Sequence, residues 1–178
     1  MHPRALGLAD ALLDGEIIDA MVTGKVALAV VQWSGAERQD LSIGWTRMTS
    51  QADVLAFSAR ARAMERAFVL SDTAPAEAIA FSARLFDAVP DCKRRVIDIS
   101  GDGTANSGGN VRRARNEAER QGITINGIAI ESIGVAITTF FQRAIITRNG
   151  FVITARGHRE CPDAIRRKIL REVSRIFG

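Results

Sequence analysis

Arg94–Gly109, RRVIDISGDGTANSGG, is the stretch that decides the fold. Val96, Ile97 and Ile99 form a short β-branched run. It breaks into a loop holding Gly101, Gly103, Gly108 and Gly109, with Gly122 closing the element beyond. An apolar run bounded by such a loop reads as a buried parallel strand. Asp98, Ser100, Asp102, Thr104, Asn106 and Ser107 gather at its carboxyl end, the densest set of polar ligands in the chain. Ligands of open α/β sheets sit outside the carboxyl ends of the strands, so this loop is the first place to expect a site.

Downstream, Val111–Gln121 reads as a charged helix and Ile123–Ile130, ITINGIAI, as a strand in which Gly127 permits a close approach. Val135–Ile146 reads as a helix carrying Phe140 and Phe141, Phe151–Ala155 as the last strand, and Asp163–Phe177 as a final helix with Ile165, Ile169, Val173 and Ile176 inward. Upstream, Leu6, Ala9, Leu13, Ile17 and Met21 recur at helical spacing. They predict one amphipathic helix over Pro3–Val22, weakened by Gly7 and Gly15. Val26–Trp33, VALAVVQW, reads as a fully buried strand, and Leu41–Trp45 alternates as an edge strand hairpinned onto it. Ser50 and Asp53 form a capping box ahead of a helix whose Val54, Phe57, Ala61, Met64 and Phe68 face inward. Pro75 opens the next helix and Pro90 stops it. Strands alternating with helices in the second half imply right-handed βαβ units, a parallel sheet and helices on both faces.

The length, 178 residues, is that of one domain, Met1–Gly178, with 47% hydrophobic and 25% charged residues. Cys92 and Cys161 stand far apart, without a CxxC or a histidine cluster, and read as unrelated thiols. Asp10, Asp14, Glu16 and Asp19 exclude a signal peptide over the first residues. No apolar run approaches the roughly 20 residues that span a bilayer, so the chain as given reads as cytoplasmic and without a membrane partner. The net charge is +4, with much of the excess in Arg156–Arg175, which reads as a solvated helix face. The absence of Tyr, with Trp33 and Trp45 elsewhere, argues against a nucleic-acid surface.

VALAVVQWSG, SIGWT, SDTAPAEAIAFSARLF, RRVIDISGDGTANSG, GITINGIAI and PDAIRRKILREV together resemble a von Willebrand factor A domain, from about Ala9 onward. Within that superfamily the resemblance is to an uncharacterised bacterial branch with VIDxSGDG and a closing AIRRKLxREI-like helix. It implies a doubly wound, mostly parallel sheet of strand order 3-2-1-4-5-6. It also implies a metal-ion-dependent adhesion site, with ligands from D-x-S-x-S after strand one, a later Thr and an Asp after strand four. Hydroxyls and carboxylates are hard oxygen donors suited to Mg²⁺. Thr73 matches the threonine and Asp102 the aspartate, with Ser71, Ser100 and Asn106 as accessory residues. The first, central strand with its D-x-S-x-S has no counterpart here. Asp98–Asp102 is D-x-S-x-D but falls in the place of strand four, and Asp40-Leu41-Ser42 is a hairpin fragment. The expectation is a degenerate site with no cofactor, or with Mg²⁺ bound weakly. Thr73 also suits a helix cap, and Asp102 a turn residue bonding its own backbone. An upstream in-frame strand would change the metal reading and make the protein extracytoplasmic.

The leading expectation is a non-catalytic protein-binding module. A second is an enzyme taking a phosphate or nucleotide on the Gly101–Gly109 loop, although that loop is neither GxGxxG nor GxxxxGK[ST]. A third is a structural subunit completed by a partner's strand. If the central strand is lacking, Val26–Trp33 is expected to pair directly with Arg95–Ser100, and the chain to form a homodimer over the surface this uncovers.

Overall fold

Short β-branched runs and capped amphipathic segments become elements largely where the pattern puts them. The computed structural model describes residues 3–69, 72–131 and 136–174. In chain order these form α1 (Pro3–Ala11), α2 (Gly15–Thr23), β1 (Ala27–Trp33), β2 (Gln39–Arg47), α3 (Gln51–Ala63), α4 (Pro75–Leu85), β3 (Arg95–Gly101), α5 (Val111–Arg120), β4 (Ile123–Glu131), α6 (Ile137–Phe140), β5 (Val152–Arg156) and α7 (Cys161–Val173). The fold is α/β with a parallel sheet. Among the described residues no helix is long and apolar enough to cross a membrane. The chain resolves into two compact units, one built around α1, α2, α3 and α7, the other around β3, β4, β5 and α4 to α6.

In the helical unit, α1 packs on α3 and α7, and α2 on the same two helices. Ala9, Leu12, Ile17, Val54, Phe57, Ala61, Ala164 and Ile169 make its core. Val54, Phe57 and Ala61 recur on one face of α3, as their spacing requires. The capping box is formed as read: Ser50 Oγ accepts from the Asp53 amide at 3.2 Å, and Asp53 Oδ2 accepts from the Ser50 amide at 2.9 Å. The buried Ser58 hydroxyl donates to the Ala9 carbonyl at 2.8 Å, tying α3 to α1. Arg62 forms an ion pair with Asp10.

The single helix expected over Pro3–Val22 is instead two. Asp14 breaks it, with extended backbone at φ −72° and ψ 125°. Its Oδ1 accepts from the amides of Glu16 and Ile17, capping α2. An aspartate bonding the backbone ahead of it competes with the continuing helix. Its other oxygen, Oδ2, takes the Arg166 Nε and Nη2 at 2.8 and 2.5 Å. The α3 helix also stops at Ala63, short of Phe68. Ile176, expected inward on the last helix, lies outside the described residues.

In the sheet unit, β3, β4 and β5 form a parallel three-stranded ladder with β4 in the middle. Arg95 opposes Ile123 and the register runs to Gly101 opposite Ala129; Gly127 opposes Val152 and runs to Glu131 opposite Arg156. The run ITINGIAI is covered almost throughout, as a middle strand requires. A Cβ on Gly127 would stand 2.7 Å from Phe141 Cδ1 and 3.0 Å from Ile146 Cδ1, so the close approach read from the sequence is real. The helix expected over Val135–Ile146 shrinks to α6 followed by a π turn, Phe141–Ile145.

Two expectations about β1 are corrected. Among the described residues it pairs with β2 alone, so Val26–Trp33 does not pair directly with Arg95–Ser100. At the end of β3 it is a side chain, the Trp33 indole, that stands beside the Gly101 Cβ position, with Cζ2 at 4.0 Å. Nor is β1 fully buried: every one of its residues is half-buried, because full burial needs neighbours on both edges and layers on both faces, and the hairpin supplies one neighbour.

Asp14 carries a testable consequence. The Arg166 hydrogen bonds hold its carboxyl below the usual carboxylate range, with the Ile17 and Glu16 amides adding to the effect against partial burial. A depressed folded-state pKa gives stability that is present above the unfolded value of about 3.9 and is lost as pH falls through the folded one. Replacing Asp14 with Ala should remove about 0.5–2 kcal/mol through the lost cap and flatten that acid limb. Urea melts at neutral and acidic pH check both.

Candidate functional site

The carboxyl end of β3 opens into Asp102–Gly109, and Asn110 then caps α5 by accepting from the Arg113 amide at 3.0 Å. The loop is fixed to the segment that precedes α4. Asn106 Oδ1 accepts from the Thr73 amide at 2.7 Å, and the Asn106 amide donates to the Thr73 carbonyl at 3.1 Å. This reciprocal pair is a miniature two-residue ladder. The Thr73 hydroxyl lies 3.6 Å from the position of a Gly103 Cβ, one residue beyond Asp102. Thr73, Asn106 and the backbone around Asp102 are thus brought to one place. Asp102 and Asn106 are exposed, Thr73 and Ser100 half-buried. Ser71 lies outside the described residues.

Thr73 is not a helix cap. The cap residue of α4 is Ala74, which has no capping side chain, and Pro75 starts the helix. The Ala74 amide is instead taken by the Ser34 carbonyl at 2.8 Å, while the Ser34 hydroxyl donates to the Asp72 carbonyl at 2.9 Å. The hairpin turn thereby holds the threonine segment from the other side. Nothing in the sequence pairs Ser34 with residues so far along the chain.

Glu77 was also not legible as a site residue. From the first turn of α4 its Oε1 accepts from the Gly109 amide at 2.7 Å. Its Oε2 is buried and has no hydrogen-bond partner among the described residues. Gly108 has φ +82°, and a Cβ there would stand 2.1 Å from Glu77 Oε2. The Glu at the fourth position after a threonine looks like an ordinary first-turn carboxylate on a helix; only the fold reveals that it sits beneath the glycine loop.

The oxygen donors gathered here are of the hard type that suits Mg²⁺. Thr73 and Asp102 offer one hydroxyl and one carboxylate, and Mg²⁺ commonly keeps water in the rest of its shell. Among the described residues no group of three or more His, Cys, Asp or Glu is placed to hold a metal.

The positive φ favours glycine at 108, and a Cβ there would push the Glu77 carboxylate aside from the Gly109 amide. Gly108→Ala should destabilise the protein by about 1–3 kcal/mol, read as a lowered midpoint in urea. Glu77→Gln keeps the shape and should cost less than Glu77→Ala, which leaves the Gly109 amide unmet.

Comparison with known proteins gives the fold a family. No curated protein matches the chain. Proximal thread matrix protein 1 from the mussel byssus, in a structure with a zinc-occupied MIDAS motif, matches at 17% identity and TM-score 0.69, over 93% of this chain and 42% of that one. A von Willebrand factor type A protein from Catenulispora acidiphila matches at 18% identity and TM-score 0.65, over 96% and 39%. The SpRpn10 VWA domain matches at 10% identity and TM-score 0.58, over 84% and 75%. The chain spans about two fifths of the length of the first two, and identities this low speak for the fold alone. A family described as protein of unknown function, DUF1194, matches residues 3–177; the chain belongs to that family, and its domain is von Willebrand factor A-like.

Proposed function

We propose that the chain is a non-catalytic interaction module that meets a protein partner through the loops carrying Thr73, Asp102 and Asn106. The observation that carries this reading is the Glu77 carboxylate under the glycine loop. A phosphate-cradling loop needs free backbone N–H groups and no opposing negative charge. Here the Gly109 amide is already taken by a carboxylate, and the second oxygen of that carboxylate faces Gly108. This disfavours the alternative of a phosphate- or nucleotide-binding enzyme. The exposed Asp102 and Asn106 beside a cross-braced Thr73 suit a preformed recognition surface, which loses little entropy on binding.

The metal site is degenerate in this reading. Two oxygen donors leave Mg²⁺ in need of water or a partner's carboxylate for the rest of its shell, so Mg²⁺ should bind weakly or not at all. Titration calorimetry should show no micromolar Mg²⁺ affinity; micromolar binding abolished by Asp102→Ala would overturn this. A thermal-shift series with ATP, GTP and inorganic phosphate should leave the melting temperature unchanged, and a clear nucleotide shift would favour the enzyme reading.

A second reading is favoured by the sheet itself. β3 lies at an edge of its ladder, an apolar run of Val96, Ile97 and Ile99 broken by Asp98. A sheet edge is a template for a further strand, and a second copy of the chain is one supplier. Sedimentation velocity at micromolar concentration should then show a dimer, whereas a clean monomer would remove the second copy as supplier.

A further inference from the structure

Away from the glycine loop, at the amino-terminal end of β5, the sheet unit has a concave feature. It is an open cleft of about 710 Å³, walled by Arg115, Asn116 and Glu119 of α5, Gln142 of the π turn, and Arg148, with Ile146, Thr147, Phe151 and Val152 closing it. Its walls are tied down. The buried Ile125 amide donates to Thr147 Oγ1 at 2.9 Å, and the Phe151 amide to Asn126 Oδ1 at 3.0 Å. Glu119 Oε1 accepts the Arg148 amide at 2.8 Å, pinning the 146–148 segment to α5.

The donors around this cleft are held but not used up. Arg115 gives Nη1 to the Arg143 carbonyl at 3.2 Å, and Nε and Nη2 to Asn116 Oδ1 at 3.1 and 2.8 Å. Of the five N–H groups of a guanidinium, two are left over. Asn116 accepts through its oxygen, so its amide donors remain. The side chains of Gln142 and Arg148 are exposed and make no hydrogen bond or ion pair among the described residues. Against two guanidinium charges stands one carboxylate, Glu119. A single-turn π segment, here the one carrying Gln142, often marks a functional site.

We infer that this cleft docks an acidic polypeptide segment, with its carboxylates on Arg148 and Arg115 and its backbone on the amides of Asn116 and Gln142. The cleft is wide and open, with donors spread over three elements, which fits a chain presenting several groups better than one small ion. The half-buried Val152 can take the methylenes of a glutamate side chain. Guanidinium groups pair with carboxylates through paired N–H donors, and a positively biased cleft raises the encounter rate with an acidic partner.

The proposal does not depend on the glycine-loop reading, because the two surfaces share no residue. The test is calorimetric titration of the whole chain at low salt with an acetylated, amidated hexaglutamate, with hexaglutamine, and with inorganic phosphate. Hexaglutamate should bind, and hexaglutamine and phosphate should not. Arg148→Gln should weaken hexaglutamate binding about tenfold. Arg112→Gln, which removes the same charge from an exposed position elsewhere on α5, should change it by less than about twofold. Circular dichroism confirms that both surface variants fold. Absent hexaglutamate binding, phosphate binding of equal strength, or equal losses in the two variants would overturn the proposal, the last by showing only the attraction of a basic protein for any polyanion.

Discussion

Asn126 sits wholly buried in the middle strand, and the three-stranded sheet depends on it. Its side-chain oxygen accepts the Phe151 amide at 3.0 Å, while the next residue, Gly127, donates its own amide to the Phe151 carbonyl at 2.9 Å. Both backbone polar groups of Phe151 are thus held by consecutive residues of β4. That grip sets β5 in register, with Gly127 opposite Val152. A one-residue slip would leave a buried amide oxygen and a buried N–H unmet, each costing about 1–3 kcal/mol, and would turn every side chain of β5 to the other face. Thr147 does the same for the neighbouring amide of Ile125. The polar letters inside ITINGIAI and just before the last strand are therefore the register marks of the sheet.

The strands that build this ladder were legible because their apolar runs are short, β-branched and bounded by glycine. The capping box at Ser50 and Asp53 was legible because it is a local device written in two residues. What the sequence hid is of another kind. The break between α1 and α2 is marked only by Asp14 and Gly15, a local cap that the helical periodicity running through it outweighs in the sequence, and its tie to Arg166 at the far end of the chain carries no mark. The π turn after Phe140 has the same apolar spacing as a regular helix over so short a span. The half-burial of β1 could not be read from VALAVV, since an apolar run reports what a strand can bury and not how many neighbours it has.

The candidate site divides in the same way. Thr73, Asp102 and Asn106 could be named from a motif, and the structure brings Thr73 and Asn106 into a reciprocal pair beside the residue that follows Asp102. Ser34 and Glu77, which brace the two sides of that arrangement, carry no motif. They act through backbone groups far away in sequence, and such contacts are specified by topology alone.

The closeness of Glu77 to Gly108 bears on how such a sequence can drift over generations. A side chain at position 108 would displace the Glu77 carboxylate and its brace on Gly109, and a shorter residue at 77 would clear the space but forfeit the same brace. Even then the positive φ would admit little beyond Asn or Asp in place of glycine. Lineages that change one of these positions are therefore expected to change the other, so the pair should be visible as covariation between the first turn of α4 and the loop before α5.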